Sequence, residues 1–380
     1  MKIKKAVAAI DSFKGSLSSV EAGNAAAEGI RRVFPDAEII VKPLADGGEG
    51  TAEALVSGLC GEFVRTTASD PFGRRISPSY GIVGGKTAVI EIASAAGITL
   101  LSKDELDPMR ATTFGVGELI SDAIDRGIRD FLIGIGGSAT NDGGVGMLTA
   151  LGFAFSDSDG KPIAKGAAGL EKLASIDISG ARPELSECRF RVACDVNNPL
   201  CGERGCSAVF SPQKGAKPCD IPRMDGWLSR FAELTGELFP DADPELPGSG
   251  AAGGLGFALR SYLGASLESG VSLVLDAIRL EEDIGTADII VTGEGRLDAQ
   301  TAMGKAPAGV AALAKRHGKR CIAFAGSVSP DAIECAKVGI DAYFPILRSV
   351  TTLSDAMDKA NAARNLADAV EQAFRLIAAI

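Results

Sequence analysis

The chain has 380 residues, of which 46% are hydrophobic and 23% charged; this balance excludes wholesale disorder and is typical of a globular chain with more than one core. Its formal net charge of −10 argues against a nucleic-acid partner, because a phosphate backbone calls for a net basic face. The 47 glycines and the low aromatic content of 5% favour an α/β protein with many tight, backbone-lined loops.

The first predicted strand, at residues 6–10, follows a short basic segment. Asp11 ends this apolar stretch too early for the apolar core of a signal peptide. No apolar run in the sequence approaches the ~20 residues that are needed to cross a bilayer. We therefore expect a cytoplasmic protein without a membrane partner.

Two β-loop-α units follow one another in the first part of the chain. In the first unit, a loop at 11–16 leads into a helix at 18–33 that opens with a Ser-x-x-Glu capping box. In the second unit, a strand at 38–41 and a loop at 43–51 lead into a helix that runs to residue 59. Such units predict a parallel sheet that binds ligands at the carboxyl ends of its strands.

The pattern changes between about residues 63 and 93, where β-branched residues alternate with polar ones. Turn signals at 70–73 and 84–85 indicate antiparallel strands there and a domain boundary near residue 62. A helix at 113–126 and a strand at 131–135 come next.

The parallel pattern returns near the end of the chain, with predicted strands at 287–292, 321–325 and 342–346. The predicted fold is α/β with two domains. A Rossmann-like parallel-sheet domain combines residues 1–62 with residues 281–380, and a mixed α/β domain is inserted at 63–280.

Cysteine and histidine limit the classes of chemistry. The eight cysteines are most simply reduced thiols, and the four between residues 194 and 219 match no zinc spacing. The single histidine, His317, precedes Gly318 at a predicted helix C-terminus. This composition argues against Ser-His-Asp hydrolysis, His-ligated zinc catalysis and haem binding.

The loop after the strand at 131–135 is rich in glycine and polar residues. It reads GIGGSATNDGGVG between residues 134 and 146, just before a predicted helix. The backbone N–H groups of such a loop can close around phosphate oxygens, although a tight strand-to-helix turn is the structural alternative. It is not a P-loop, because no Gly-Lys-Ser/Thr ending follows. We predict that a phosphate or nucleotide is bound here by Gly136, Gly137, Ser138, Thr140, Asn141, Asp142 and Gly143.

A second glycine-rich segment, at 248–254, matches the pattern G-x-G-x-x-G. The dinucleotide fingerprint requires a strand before it, and residues 241–247 predict turns instead. Close helix packing and anion binding at a helix N-terminus both remain open for this segment.

Charged side chains follow three of the predicted parallel strands, in the loops at 11–16, 46–51 and 293–298. Because parallel strands end at one edge of a sheet, we expect these loops to lie close together. Lys14 and Arg296 are the cations available for an anion. The oxygen ligands available for a hard cation are Asp46, Glu49, Glu294 and Asp298. Magnesium binds a few carboxylates together with substrate phosphates, and phosphoryl transfer with such a cation needs no histidine.

Seven segments in order give the sequence a resemblance to a known family. They are DSFKGS at 11–16, ADGGEGT at 45–51, GGSATNDGG at 136–144, CDVNNPL at 194–200, PQKGA at 212–216, GAAGG at 250–254 and TGEGRLDAQT at 292–301. Across nearly its whole length the chain resembles the bacterial glycerate kinases that lack a P-loop. This resemblance implies MgATP-dependent phosphorylation of D-glycerate, with 2-phosphoglycerate favoured and 3-phosphoglycerate open. It also implies two α/β domains with the active site in the cleft between them.

The resemblance does not supply individual roles, so we infer these from chemistry. Phosphoryl transfer to a hydroxyl needs a carboxylate near the attacking oxygen, and we choose Asp195 as this base. Asn197 would orient the substrate. The structural alternative is that Asp195 only starts a turn before Pro199. Lys14, as a catalytic cation, and Ser12 would hold phosphates with the glycine-rich loop.

Candidate ligands of magnesium and of the substrate carboxylate complete the predicted site. We expect Asp46 and Asp298 to bind magnesium, with Glu294 as a further candidate. Arg296 or Lys214 would bind the carboxylate of glycerate, and the bidentate geometry of a guanidinium favours Arg296.

Three alternatives to a glycerate kinase stay open at this point. They are a kinase for another small hydroxy acid, a nicotinamide-dependent dehydrogenase, and a non-catalytic nucleotide- or anion-binding protein. The partners expected are small molecules, glycerate and ATP, and not nucleic acid. The sequence leaves open whether the chain forms a homo-oligomer.

Overall fold

The computed structural model describes residues 3–48 and 50–380. Apolar runs, and segments in which apolar and polar residues alternate, form the strands of two main sheets. In chain order the strands are β1 (Lys5–Ile10), β2 (Glu38–Pro43), β3 (Glu62–Arg65), β4 (Ala68–Ser69), β5 (Arg75–Ile76), β6 (Ser79–Val83), β7 (Thr87–Glu91), β8 (Asp130–Gly134), β9 (Ala154–Ser156), β10 (Ser175–Asp177), β11 (Arg189–Ala193), β12 (Ser266–Glu268), β13 (Ile289–Leu297), β14 (Arg320–Val328) and β15 (Ala342–Pro345).

One sheet has the order β15-β14-β13-β1-β2, and all its strands are parallel. The other has the order β12-β11-β8-β7-β6-β3. In it β12, β11, β8 and β7 run parallel, β6 pairs antiparallel with β7, and β3 pairs antiparallel with β6. Two short antiparallel pairs, β4 with β5 and β9 with β10, lie outside these sheets. The structure thus confirms the predicted α/β class, with a parallel sheet and with antiparallel strands between residues 62 and 91.

Helices flank the strands, and the first of them begins at the predicted capping box. The Ser18 side chain accepts from Glu21 N, and the Glu21 carboxylate accepts from Ser18 N. In chain order the helices are α1 (Ser19–Arg31), α2 (Thr51–Gly58), α3 (Ala93–Ala96), α4 (Phe114–Asp125), α5 (Val145–Ala150), α6 (Cys206–Phe210), α7 (Ile221–Leu238), α8 (Ala251–Leu263), α9 (Gly270–Ala277), α10 (Leu280–Thr286), α11 (Ala299–Ala302), α12 (Ala306–Arg316), α13 (Leu353–Met357) and α14 (Lys359–Ala379).

The described residues group into two compact units. Unit 1 contains residues 3–46, 53–60 and 271–380, and it holds the all-parallel sheet; unit 2 contains residues 47–48, 50–52 and 61–270. The domain limits predicted from the sequence, 1–62 with 281–380 and 63–280, stay predictions, because units defined by contacts need not fold independently. Every helix in the described residues is too short or too polar to span a membrane.

Each unit has its own apolar core. In unit 1, α1 and α14 pack together on the sheet, and a Cβ atom on Gly29 would lie 2.3 Å from the carbonyl oxygen of Ala367. In unit 2, the rings of Phe131 and Phe190 stack across β8 and β11 with their centroids 4.7 Å apart.

Strands β13 and β14 continue beyond their predicted ends. The sequence predicted a loop at 293–298, but residues through Leu297 belong to β13. Glycine explains the difference: a Cβ on Gly293 would lie 2.1 Å from the oxygen of Phe324, and one on Gly326 would lie 2.7 Å from the oxygen of Gly295. Because glycine has no side chain, β13 and β14 can pair closely at these positions, and their ladder of backbone hydrogen bonds continues through them.

The glycines at 248–254 serve close packing. Gly143 N donates to the carbonyl oxygen of Gly253 at 2.9 Å, and a Cβ on Gly253 would lie 2.1 Å from the oxygen of Thr140. Ala252 and Gly253 have left-handed backbone at the start of α8. No strand occurs in residues 239–250, all of which are described, so the dinucleotide fingerprint is not formed.

We predict that Gly253→Ala destabilises the protein by about 3 kcal/mol or more, because a methyl group would collide with the backbone of Thr140. Gly236→Ala in α7 is the matched control, since nothing lies within 4 Å of the added atom; it should stabilise unit 2 by roughly 0.5–1 kcal/mol. Urea unfolding followed by circular dichroism compares the two. Equal midpoints would contradict the close packing.

Candidate functional site

A cavity of about 400 Å³ lies in unit 1 at the carboxyl edge of the parallel sheet. Of the residues that the structure describes, seven with charged side chains line it: Asp11, Lys14, Asp46, Glu294, Arg296, Asp298 and Lys305. Several apolar side chains share the lining: Phe13, Ile346, Leu347, Leu353, Ala356, Met357 and Ala362. The cavity therefore combines a charged and an apolar surface.

Three neighbouring strands bring three carboxylates to this cavity. Asp11 directly follows β1, Asp46 follows β2, and Glu294 lies near the end of β13. β1 lies between β13 and β2 in the sheet, so the side chains come together despite their separation in sequence. Parallel pairing is thus the cause of the cluster.

Asp11 is the most buried of the three, with 7% of its surface exposed. Its Oδ1 accepts from Ser12 N at 2.6 Å. The pKa of Asp11 is raised to about 7, chiefly by burial. The charges of Asp46 and Glu294 also raise it, while the Ser12 N–H group and Lys14 lower it. The site therefore concentrates negative charge at a place where charge is costly.

Glu294 is tied to the segment that follows its strand. Its carboxylate accepts from the Thr301 hydroxyl, and Lys305 Nζ lies 3.9 Å from its Oε2. Burial raises the pKa of Glu294 above its ordinary value. Asp298 caps α11 by accepting from Gln300 N and Thr301 N, and Lys305 Nζ lies 3.5 Å from its Oδ1. Lys305 thus bridges two acidic side chains.

Two cations reach the same cavity with mostly exposed side chains. Lys14 Nζ lies 3.8 Å from Asp46 Oδ2, and 79% of the lysine side chain is exposed. Arg296 Nε lies 3.6 Å from Asp298 Oδ2, and 69% of its side chain is exposed. Ion pairs this exposed are weak, so both cations can turn to an anionic ligand.

Asp195 and Asn197 lie in unit 2, just beyond the end of β11. Both are exposed, and Asp195 Oδ1 accepts from Gly270 N at 3.0 Å, which fixes the orientation of the carboxylate. Gly136 and Gly137 follow the neighbouring strand β8 and are also exposed. These four predicted residues therefore occupy adjacent strand ends of one sheet.

The inner part of the glycine-rich loop faces the core of unit 2, and its predicted site residues Ser138, Thr140, Asn141, Asp142 and Gly143 are buried. Asp142 accepts from Thr113 N at 2.8 Å and from Gly144 N at 3.2 Å. Burial raises the pKa of Asp142 above its ordinary value. The carboxylate therefore orders the loop from inside.

Lys214 is buried against the same loop. Its Nζ donates to Ser138 Oγ at 2.8 Å and to the carbonyl oxygen of Thr140 at 2.7 Å. Burial lowers the pKa of Lys214 to about 8. The ammonium group therefore already has two internal acceptors.

The predicted site residues that the structure describes fall into two sets, one in each unit. The cavity of unit 1 is lined by Ser12, Lys14, Asp46, Glu294, Arg296 and Asp298. Unit 2 holds Asp195, Asn197, Lys214 and residues 136–143. Glu49, a predicted oxygen ligand, lies outside the described residues.

Two charged residues that line the cavity, Asp11 and Lys305, were not among the site residues predicted from the sequence. The position of Asp11 directly after a predicted strand was a usable signal. For Lys305 there was none, because its approach to Glu294 depends on the turn made by α11.

The donor set of the cavity suits a hard cation that keeps other ligands. Among residues 3–48 and 50–380, no three His, Cys, Asp or Glu side chains are grouped as a metal site. Magnesium typically takes one or two carboxylates and completes its shell with water and phosphate oxygens. Burial is the main cause of the raised pKa of Asp11, and the neighbouring charges of Asp46 and Glu294 add to it, so a bound cation would favour the charged form of this carboxylate.

Comparison with known proteins gives consistent matches. The family model described as "Glycerate kinase family" matches residues 6–378. The chain is 45% identical to "Glycerate 2-kinase" of Escherichia coli (strain K12), over 96% of this chain and 97% of the other. It is 44% identical to "Glycerate kinase" of Bacillus subtilis (strain 168), over 99% of this chain and 97% of the other. A crystal structure named for glycerate kinase 2 of Salmonella typhimurium LT2 matches with a TM-score of 0.91 at 45% identity, covering 99% and 98% of the two chains.

We predict that Asp11→Asn makes the folded chain more stable at pH 8 than the unsubstituted protein, in the presence of a chelator. The folded protein keeps the Asp11 proton up to about pH 7, whereas the unfolded chain loses it near 3.8, so the native protein loses stability as pH rises through this window. The difference should reach about 4 kcal/mol at most above pH 7 and vanish below pH 4.

Chemical unfolding between pH 4 and pH 8 measures this difference. Asp36→Asn, at an exposed position in unit 1, is the control and should show no such pH-dependent gain. A difference independent of pH would contradict the burial of a charged Asp11.

Proposed function

The chain belongs to the glycerate kinase family, and from that premise we propose that it transfers the terminal phosphoryl group of ATP to D-glycerate, with magnesium as the cofactor. The observation that carries the proposal is the cavity at the carboxyl edge of the parallel sheet. It places Lys14, Arg296 and Lys305 beside several carboxylates. Phosphoryl transfer needs cationic groups that bind phosphate oxygens and carboxylates that hold a metal ion. We favour the 2-hydroxyl, because a relative 45% identical to this chain is named glycerate 2-kinase.

Phosphate oxygens would be held by Lys14 and by the hydroxyl group of Ser12, which lines the cavity, with Gly136 and Gly137 as further N–H donors. The support is exposure: the Lys14 side chain is 79% exposed, and both glycines are exposed on the loop that follows β8. The side chains of Thr140 and Asn141 are fully buried, so we propose that they shape the loop.

Asp46, Asp298 and Glu294 would hold magnesium, which neutralises phosphate charge when bound. Their common position in a cavity where the pKa values of Asp11 and Glu294 are raised supports this assignment. Because no three of the described acidic side chains form a closed metal group, we propose that one or two of the three bind at a time.

Asp195 would accept the proton of the attacking hydroxyl, and Asn197 would orient the substrate. The hydrogen bond from Gly270 N holds one oxygen of the Asp195 carboxylate, which leaves the group oriented in an exposed position. A general base must lie within hydrogen-bond reach of the proton that it takes. A carboxylate that is already oriented can therefore meet this condition when the substrate binds.

Of the two candidates for the carboxylate of glycerate, we propose Arg296. Its guanidinium is largely exposed in the cavity, whereas the Lys214 ammonium is buried and already donates to Ser138 and Thr140. A guanidinium also offers two parallel donors to a carboxylate. Lys214 would instead hold the glycine-rich loop in place.

The active site in a cleft between domains, the cytoplasmic location and the oligomeric state stay predictions. A kinase for another small hydroxy acid is the remaining alternative to glycerate as substrate.

We predict that the purified chain converts D-glycerate and MgATP to 2-phosphoglycerate, which added enolase turns into phosphoenolpyruvate. A signal without phosphoglycerate mutase identifies attack by the 2-hydroxyl. A signal only after mutase is added would move the product to 3-phosphoglycerate. Silence in both assays, with folded protein, would contradict glycerate as the substrate and call for a screen of other hydroxy acids.

We predict that Asp195→Asn lowers kcat by about 10²–10⁴-fold with little change in the KM for glycerate, because the amide cannot take the hydroxyl proton. Steady-state kinetics in the same coupled assay measures both constants. Asp159→Asn, at a side chain 72% exposed in unit 2, is the control and should behave like the parent protein. An unchanged kcat for Asp195→Asn would remove this residue from the role of base.

A further inference from the structure

The side chains that line the cavity of unit 1 are charged on one side of the cavity and apolar on the other. On the side of β1, β2 and β13 its lining is charged, with Asp11, Asp46 and Glu294 at the strand ends. On the side of β15, at the opposite edge from β2, its lining is apolar, because Ile346 and Leu347 follow that strand directly. A ligand that fills the cavity must therefore be ionic at one end and apolar at the other.

The apolar side is completed by α13 and by the turn after β1. Leu353 and Met357 are 78% and 38% exposed, although both line the cavity. Phe13, in the turn after β1, also lines the cavity and is almost fully buried. Met357 packs on this turn, since its Cε atom is 2.9 Å from the position that a Cβ atom on Gly15 would take. Exposed apolar side chains at the rim of a polar cavity mark a surface that a ligand covers.

Glycerate is too small and too polar to account for this surface. It has three carbons, each bearing oxygen, so it offers nothing to bury against Leu353 and Met357. A volume of about 400 Å³ falls within the range of small-molecule sites. A nucleotide provides both parts that the lining requires, a flat base of low polarity and a polyphosphate chain.

We infer that the apolar side of this cavity, formed by Phe13, Leu347, Leu353 and Met357, binds the base of the nucleotide. The polyphosphate then runs across the sheet edge toward Lys14, Arg296 and Lys305. This inference rests on the proposed use of ATP and assigns the base a position in unit 1. The glycine-rich loop of unit 2 has its exposed part only at Gly136 and Gly137, which suits a phosphate but not a base.

The test compares a ligand that has a base with one that lacks it. Binding of MgATP and of magnesium tripolyphosphate is measured by calorimetry for the parent chain and for Leu353→Asp combined with Met357→Gln. We expect the double variant to bind MgATP at least 10-fold more weakly and magnesium tripolyphosphate as tightly as the parent does. In the kinase assay its KM for ATP should rise at least 10-fold with kcat and the KM for glycerate little changed.

Leu376→Asp is the matched control, since this leucine of α14 is 60% exposed and does not line the cavity. It should bind both ligands like the parent protein. Because Leu353 and Met357 are exposed, the variants should fold, and circular dichroism checks this.

Equal losses for MgATP and tripolyphosphate in the folded double variant would overturn the inference, as would unchanged MgATP affinity. Either result, with the parent still phosphorylating glycerate, leaves the proposed function standing. A parent chain that binds neither ligand and shows no turnover would overturn both.

Discussion

Parallel strands all end at the same edge of their sheet, and this constraint decides where the chemistry of unit 1 can lie. β13, β1 and β2 are neighbours, so Asp11, Asp46 and Glu294 meet although they are far apart in the chain. Asp11 and Glu294 are also buried at this edge, and burial is the main cause that raises the pKa of Asp11 to about 7. The same burial that makes the charge costly would make a bound cation favourable there, so the proposed magnesium site follows from the arrangement of the sheet.

Much of the fold was predictable from local patterns. The capping box fixed the start of α1, and the short apolar strands indicated the parallel sheet, because both signals depend only on residues close in sequence. The continuation of β13 through Leu297 was not predictable in this way. It depends on how closely β14 can approach Gly293 and Gly295, and a single sequence does not show which strand will be the partner.

The candidate site was predictable where its chemistry follows strand ends and not where it depends on tertiary packing. Lys14, Asp46 and Asp298 could be expected together because the βα order places their loops at one edge. In the glycine-rich loop, by contrast, nothing local distinguishes the exposed Gly136 from the buried Asp142. The inward direction depends on partners far away in sequence, since Asp142 accepts from Thr113 N and Asn141 donates to Ser207 Oγ. The apolar lining from α13 was equally hidden, because exposed leucine and methionine have no signature in sequence.

The packing of the two glycine-rich segments of unit 2 limits how this protein can evolve. Gly253 lies so close to Thr140 that a side chain there requires the loop at 140–143 to move, and the loop in turn carries Asn141 and Asp142 in fixed internal hydrogen bonds. A single replacement in either segment therefore meets opposition from the other. A side chain at residue 253 would be tolerated only where the loop at 140–143 shifts with it, so a substitution there calls for a second, compensating one in that loop.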